Sequence, residues 1–206
     1  MDIFQKGEYK PIPNSFKTKG IIALEELTKF QDEFQSYDTD TTINEIRDAI
    51  VGNYLGYDLL NINKHGFDCK NSKTGKFLEV KQCSIFSKRL GGTWNDTNEE
   101  KAMAFSDKRL FTAVGIWKGA ADLQFIVYGQ HKKLGQYLLK RVKAVANTST
   151  RSTQSVGIEK MIQEYNFKVI VPPDKKKDFV YKLLVNYKRN IPTYLTIDDL
   201  LTINDV

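Results

Sequence analysis

Residues 66–82 read GFDCKNSKTGKFLEVKQ. Asn71 to Gly75 carry turn chemistry, and the runs on either side, FDCK and KFLEVKQ, are built as short strands. In the second run the two-residue period puts Phe77, Glu79 and Lys81 on one face and Leu78, Val80 and Gln82 on the other. A four-residue loop, Ser72 to Gly75, pairs Asn71 with Lys76, and the same register sets Asp68 opposite Glu79. Directly opposed side chains have Cβ atoms roughly 5 Å apart. Two carboxylates at that separation repel unless something positive lies between them, and a divalent cation with oxygen ligands is the natural candidate. Mg²⁺ suits the place because it takes one or two carboxylates, keeps several waters and accepts phosphate oxygens, with Mn²⁺ able to substitute. Lys81 then orients an attacking water or neutralises charge on a phosphoryl group in the transition state.

Working outward, TTINEIRDAIVGNYLGY (41–57) predicts a helix. Thr42 is its expected N-cap, Ile43, Ile46, Ile50 and Tyr54 form its apolar stripe, and Gly56 stops it. An earlier helix is signalled by Ile21, Leu24, Leu27, Phe30 and Phe34. YDLLNI gives a first strand before the hairpin. SKRLGGTWNDT reads as a polar link, NEEKAMAF as a short helix, and LFTAVGIW and LQFIVYG as two strands joined by a tight turn. The last third alternates a basic helix (HKKLGQYLLKRVKAV), a polar loop (NTSTRSTQS), a helix (GIEKMIQEY), a strand (FKVIV) and a second basic helix after Pro172 and Pro173. No internal repeat or long linker divides the 206 residues, so the expectation is a single domain, 1–206, with a catalytic core at about 42–129 and an elaborated region at about 130–206. Its fold class is α/β, a central mixed sheet flanked by helices with helical and loop additions toward the C-terminus.

Composition bounds the partners. Lys and Arg outnumber Asp and Glu by 31 to 25, a formal net charge of +6, which favours a polyanion. The first twenty residues hold no signal-peptide core and no run approaches a membrane span, so a cytoplasmic protein without membrane contact is expected. Cys69 and Cys83 read as free thiols, and with only His65 and His131 besides, no thiolate-histidine metal site is spelled. His65 is a loop histidine within reach of a phosphate or simply solvated, and His131, at the head of a basic helix, reads as a surface residue.

The pattern Asp68, then Glu79-Val80-Lys81, on the second and third strands after a helix bearing Glu45, resembles the PD-(D/E)XK nuclease superfamily, which includes most type II restriction endonucleases. The likeness covers about Thr42 to Gly129. Phe67 stands where the nominal motif has proline, a position at which members vary. The resemblance implies a restriction-endonuclease-like core and Mg²⁺ held by Asp68, Glu79 and the Val80 backbone carbonyl, with Lys81 acting on the water. Glu45 would be a further acid near the metal, although Thr42 and Glu45 also have the spacing of a capping box. Gln82 sits where some members carry another polar residue lining the site. The implied activity is Mg²⁺-dependent hydrolysis of double-stranded DNA at a specific sequence, by a homodimer. Lys140, Arg141 and Lys143 are expected to meet phosphates, and Arg151, Ser152, Thr153, Gln154 and Ser155 to read base edges. Two other readings stay open: a structure-specific nuclease of repair or recombination, and a binding module that keeps the sheet without a working metal site.

Overall fold

The computed structural model describes residues 13–60, 67–95, 97–145, 153–186 and 200–201. Chain contacts divide it into two compact units, Met1–Ile43 and Asn44–Val206. In the first, helix α1 (Asn14–Phe34) follows the apolar spacing, with the Phe30 and Phe34 rings 4.7 Å apart one turn from each other. Helix α2 (Thr39–Tyr54) begins in the first unit and ends in the second. Its start corrects the expected cap: Asp38 accepts the Thr41 N–H at 2.7 Å, and Thr42 lies inside the helix. The Thr42 hydroxyl is buried and donates back to the Ser36 and Asp38 carbonyls, so it cannot form a capping box with Glu45.

The rest of the chain supplies β1 (Asp58–Leu59), β2 (Cys69–Lys70), β3 (Phe77–Ser84), β4 (Gly91–Trp94), α3 (Glu99–Ala104), β5 (Leu110–Trp117), β6 (Leu123–Gln130), α4 (Lys132–Val145), β7 (Gln154–Gly157), α5 (Ile158–Gln163), β8 (Lys168–Ile170), α6 (Lys177–Asn186) and β9 (Leu200–Leu201). Seven of these strands, among the described residues, form one mixed sheet in the order β1-β2-β3-β5-β6-β8-β9. β1, β2 and β3 are antiparallel neighbours, and the chain then crosses through α3 so that β5 lies parallel to β3. β6 returns antiparallel to β5.

The hairpin has the expected register. Cys69 faces Leu78 and Lys70 faces Phe77, while the Asn71 N–H reaches the Lys76 carbonyl at 2.9 Å. Its turn is held by the Asn71 carboxamide oxygen, which accepts the Lys73 and Thr74 N–H groups at 3.0 and 2.8 Å. Gly75 completes it at φ 69°, where a side chain would be strained.

Both sheet faces are covered. On one, Val51 of α2 and Leu55 just past its end pack with Leu78, Val80, Ala113, Trp117 and Ile126. On the other, α3, α4, α5 and α6 contribute Phe105, Leu134, Leu138, Met161 and Val180 against Val114, Ile116, Phe125 and Val127. β5 is buried on both sides, which explains its nearly unbroken apolar run. The expected α2 stripe is rotated: Asp48, Val51 and Leu55 are the buried positions, while Ile50 and Tyr54 flank them. Two further expectations change. The link containing Gly91 to Trp94 and the end of the polar loop, Gln154 to Gly157, are strands that pair antiparallel, Thr93 facing Ser155 and Trp94 facing Gln154. Their glycines and polar residues hid the pairing, because strand propensity resides in neighbours rather than in the segment itself.

Candidate active site

The site grows from the open edge of β3. β2 pairs with β3 only at Phe77 and Leu78. Just beyond, the Asp68 N–H still bonds the Leu78 carbonyl at 2.8 Å, and the Asp68 carboxylate turns back to accept the Val80 N–H at 2.7 Å. It takes the hydrogen bond that a longer β2 would have taken. In an extended strand the N–H and C=O of one residue point to the same edge, so the Val80 carbonyl lies on Asp68's side.

Glu79 and Lys81 share the opposite sheet face from α2, as the alternation requires. Glu79 is buried and Lys81 half-buried, and the Lys81 ammonium donates to Glu79 Oε1 at 2.5 Å. Beneath them, Thr112 stands across from Glu79 on β5, and its hydroxyl bonds His131 Nδ1. His131 is wholly buried among Phe105 and Trp94, against the surface position expected for it. It opens the apolar face continued by Leu134, Leu138 and Val142, so its helical phase, rather than its charged neighbours, decides where it goes. Its Nε2 has no hydrogen-bond partner among the described residues.

From the α2 face comes an acid that sequence reasoning did not single out. Asp48 is buried, and the Gln82 carboxamide donates to its Oδ1 at 2.5 Å. The Gln82 carboxamide oxygen in turn accepts the Trp117 indole N–H. Arg47 closes the far end, its guanidinium 5.3 Å from the Trp117 ring and bonded to the Gly119 and Ala120 carbonyls. This chain needs Gly115. A Cβ there would sit 2.7 Å from Trp117 Nε1, 2.9 Å from Gln82 Oε1 and 3.0 Å from Val51 Cγ2. The available sequence signal was Asp48's place three residues before Val51 and seven before Leu55, an acid on an otherwise apolar face.

The charges interact strongly. Burial raises the Asp48 carboxyl, Asp68 raises it further and Glu79 adds to that, while Gln82 and Lys81 oppose; the outcome is about 7. Burial likewise lifts Glu79, with Lys81 opposing and Asp68 adding. For Lys81 burial acts downward, but Glu79, Asp68 and Asp48 outweigh it and the ammonium titrates above its usual range. The opposed demands of Glu79 and Lys81 concern one proton, and the lysine, facing three carboxylates, keeps it. His131 is pushed down to about 3 by burial and then by Lys81, so it is neutral at pH 7. The adjacent Cys69 thiol is raised to about 12 by burial and by Asp68 and Asp48, and both cysteines are free.

The structure thus brings Asp68, Glu79 and Lys81 together and adds Asp48. Glu45, one turn earlier on α2, is half-buried and is not among the principal charges acting on Asp48, Glu79 or Lys81. The residues expected at DNA scatter between exposed and engaged positions. Lys140 is exposed on α4, Arg141 Nε donates to Gln154 Oε1 at 3.2 Å, and Lys143 lies 3.9 Å from Glu99. Thr153 is exposed, Gln154 is buried in β7, and the Ser155 hydroxyl meets that of Thr93 at 3.0 Å. Arg151, Ser152 and His65 lie outside the described residues.

Oxygen donors of net negative charge suit a hard cation. Among the described residues no three of His, Cys, Asp and Glu close into a cage for one, because each acid leans on a local partner: Asp68 on Val80, Glu79 on Lys81, Asp48 on Gln82. Asp68 pushes both Asp48 and Glu79 upward, a repulsion that a shared cation would relieve. No helix among the described residues is long and apolar enough to cross a membrane. Compared with known protein families and with curated proteins, the chain matches none.

Proposed function

We propose that the protein is a divalent-cation-dependent DNA endonuclease with a restriction-endonuclease-like core. The observation that carries this reading is that Asp68, bonded to the Val80 N–H, and the Glu79–Lys81 ion pair meet at the open edge of β3, with Asp48 of α2 acting electrostatically on the same lysine. The element order supports it too: a helix, an antiparallel β1-β2-β3 sheet, a helical crossover and a parallel β5 agree with the core implied by the motif.

Asp68, Glu79 and the Val80 carbonyl would hold Mg²⁺, with Asp48 from the helix side as a further ligand or as a base to an intervening water. A bound cation of this kind lowers the pKa of water and offsets phosphate charge. Few protein ligands are what Mg²⁺ takes when substrate phosphate completes its shell. Lys81, positively charged and aimed by Glu79, would orient the attacking water and face the phosphoryl oxygens as negative charge develops. The water oxygen bonds to phosphorus as the ester oxygen departs, the water losing a proton and the leaving oxygen gaining one. The α4 cations would contact backbone phosphates. Two such sites are needed to cut both strands of a symmetric sequence, which motivates the homodimer.

The contact of Asp68 with Val80 favours a second reading, in which the acids only finish the sheet edge and the domain binds nucleic acid without cutting it. Incubating the purified protein with a long, sequence-diverse duplex and with branched DNA, in Mg²⁺ or chelator, separates the cases. Discrete Mg²⁺-dependent fragments of linear duplex, lost in Glu79→Ala and Lys81→Ala, are expected for a restriction enzyme. Cleavage of branched DNA alone indicates a structure-specific nuclease, and binding without cleavage of either substrate indicates the second reading.

A further inference from the structure

We propose that the pocket beside the acids receives an unpaired nucleobase of the DNA strand; this deepens, and rests on, the nuclease reading. The pocket has a volume of about 480 Å³ and is walled by Phe67, Phe77, Met103 and Phe105, with the exposed Asp107 and Arg109 also in its lining. That volume falls within the roughly 300–1,000 Å³ of small-ligand sites.

Its position ties it to the chemistry. Phe67 immediately precedes Asp68, and Phe77 lies on the same face of β3 as Glu79 and Lys81, two residues earlier. Two residues along a strand span about 7 Å. That is a distance a nucleotide covers from its phosphate to its base, so a strand with one phosphate at Glu79 and Lys81 delivers a base to the pocket.

Its lining fits an aromatic ring on an anionic backbone. The Phe67 and Phe77 rings contact each other at 4.4 Å and present a joint apolar wall. Cations stand by its Phe77 wall: Lys70 Nζ is 5.5 Å and the Arg109 guanidinium 5.8 Å from the Phe77 ring. Arg109 is held by two bonds to Asp107, at 3.2 and 2.8 Å, which fix the plane of its guanidinium in the pocket lining. Aromatic walls for a base and cations for its phosphates are the two components of single-strand recognition. A paired base keeps its stack inside the duplex, so the occupant is a base from a single strand or one extruded from a helix.

The test uses full-length protein and oligonucleotides carrying 2-aminopurine, single-stranded or fully paired, in chelator, with Mg²⁺-dependent cleavage of long duplex measured in parallel. Ala104→Phe places a ring in the pocket from an exposed lining position at the end of α3, so folding is preserved, and circular dichroism verifies it. The proposal expects a fluorescence change on binding to wild type and to Glu79→Ala, with affinity for the single strand reduced about tenfold or more in Ala104→Phe. A change with the paired duplex as well identifies an extruded base; a change with the single strand alone identifies single-stranded DNA as the source. No fluorescence change while cleavage proceeds overturns the pocket and leaves the nuclease intact. A pocket-dependent change without cleavage by wild type upholds the pocket and overturns the nuclease reading. An equal change in Ala104→Phe and wild type overturns the proposal.

Discussion

Asp48 concentrates the account at the scale of a single residue. Its carboxyl titrates near 7 in the folded chain against an ordinary value of 3.8. A raised folded pKa means that the folded state binds more protons between those values, so the contribution to stability is present below about pH 4 and is lost as pH climbs through about 7. Asp48→Asn removes that loss. Its Tm at pH 8 should exceed that of wild type by the equivalent of about 2–4 kcal/mol, while Mg²⁺-dependent cleavage falls at least tenfold. Thermal scans from pH 4 to 8 check the sign. His131 acts in the opposite sense. Depressed to about 3, it contributes stability above its unfolded pKa of about 6.5 that is lost on acidification through about 3. In the Asp48→Asn background, adding His131→Gln should flatten the acid limb, and urea titrations at pH 4 and 7 measure it. The sequence did not single out Asp48, and it placed His131 at the surface. Each is polar on an otherwise apolar helical face, and a pattern that scores hydrophobicity passes over the one position that breaks it.

Elements show why the hairpin was legible and the ribbon was not. Asn71 to Gly75 spell the turn locally, so the register of β2 and β3 follows from a few residues. β4 and β7 find each other across about sixty residues, and nothing within GGTW or QSVG announces the partner. The same limit concealed the chain from Asp48 through Gln82 to Trp117, which joins α2, β3 and β5. Gly115→Ala tests that chain. The added methyl meets Trp117 Nε1, Gln82 Oε1 and Val51 at 3.0 Å or less, so a loss of about 1–3 kcal/mol in urea unfolding is expected. Residual cleavage should shift its pH profile, because Asp48 loses the donor that favours its charged form. On α4, Lys140→Ala should weaken DNA binding evenly across sequences and lower the salt slope by about one. Arg141→Ala should do so and also release Gln154, loosening β7, a difference visible as faster amide exchange across β4 and β7.

For the whole molecule, the order helix, three strands, helix, two strands was readable because apolar period and turn chemistry are local properties, whereas the parallel pairing of β5 with β3 joins segments about thirty residues apart. The assembly of charges is not local. Asp68, Glu79 and Lys81 could be aligned on paper because one hairpin carries them, whereas Asp48 arrives from the other face of the sheet. On the proposed reading, the net charge of +6 favours a polyanion, and the buried acids at the sheet edge, opposite in sign to that net charge, are where a cation would bind. The measurement that bears most directly on this is Mn²⁺ binding at pH 8, followed by electron paramagnetic resonance in wild type, Asp68→Asn and Asp48→Asn. Saturable binding in wild type that weakens at least tenfold in Asp68→Asn, with a smaller loss in Asp48→Asn, is the predicted result. Absence of saturable binding, or binding indifferent to both substitutions, contradicts the account.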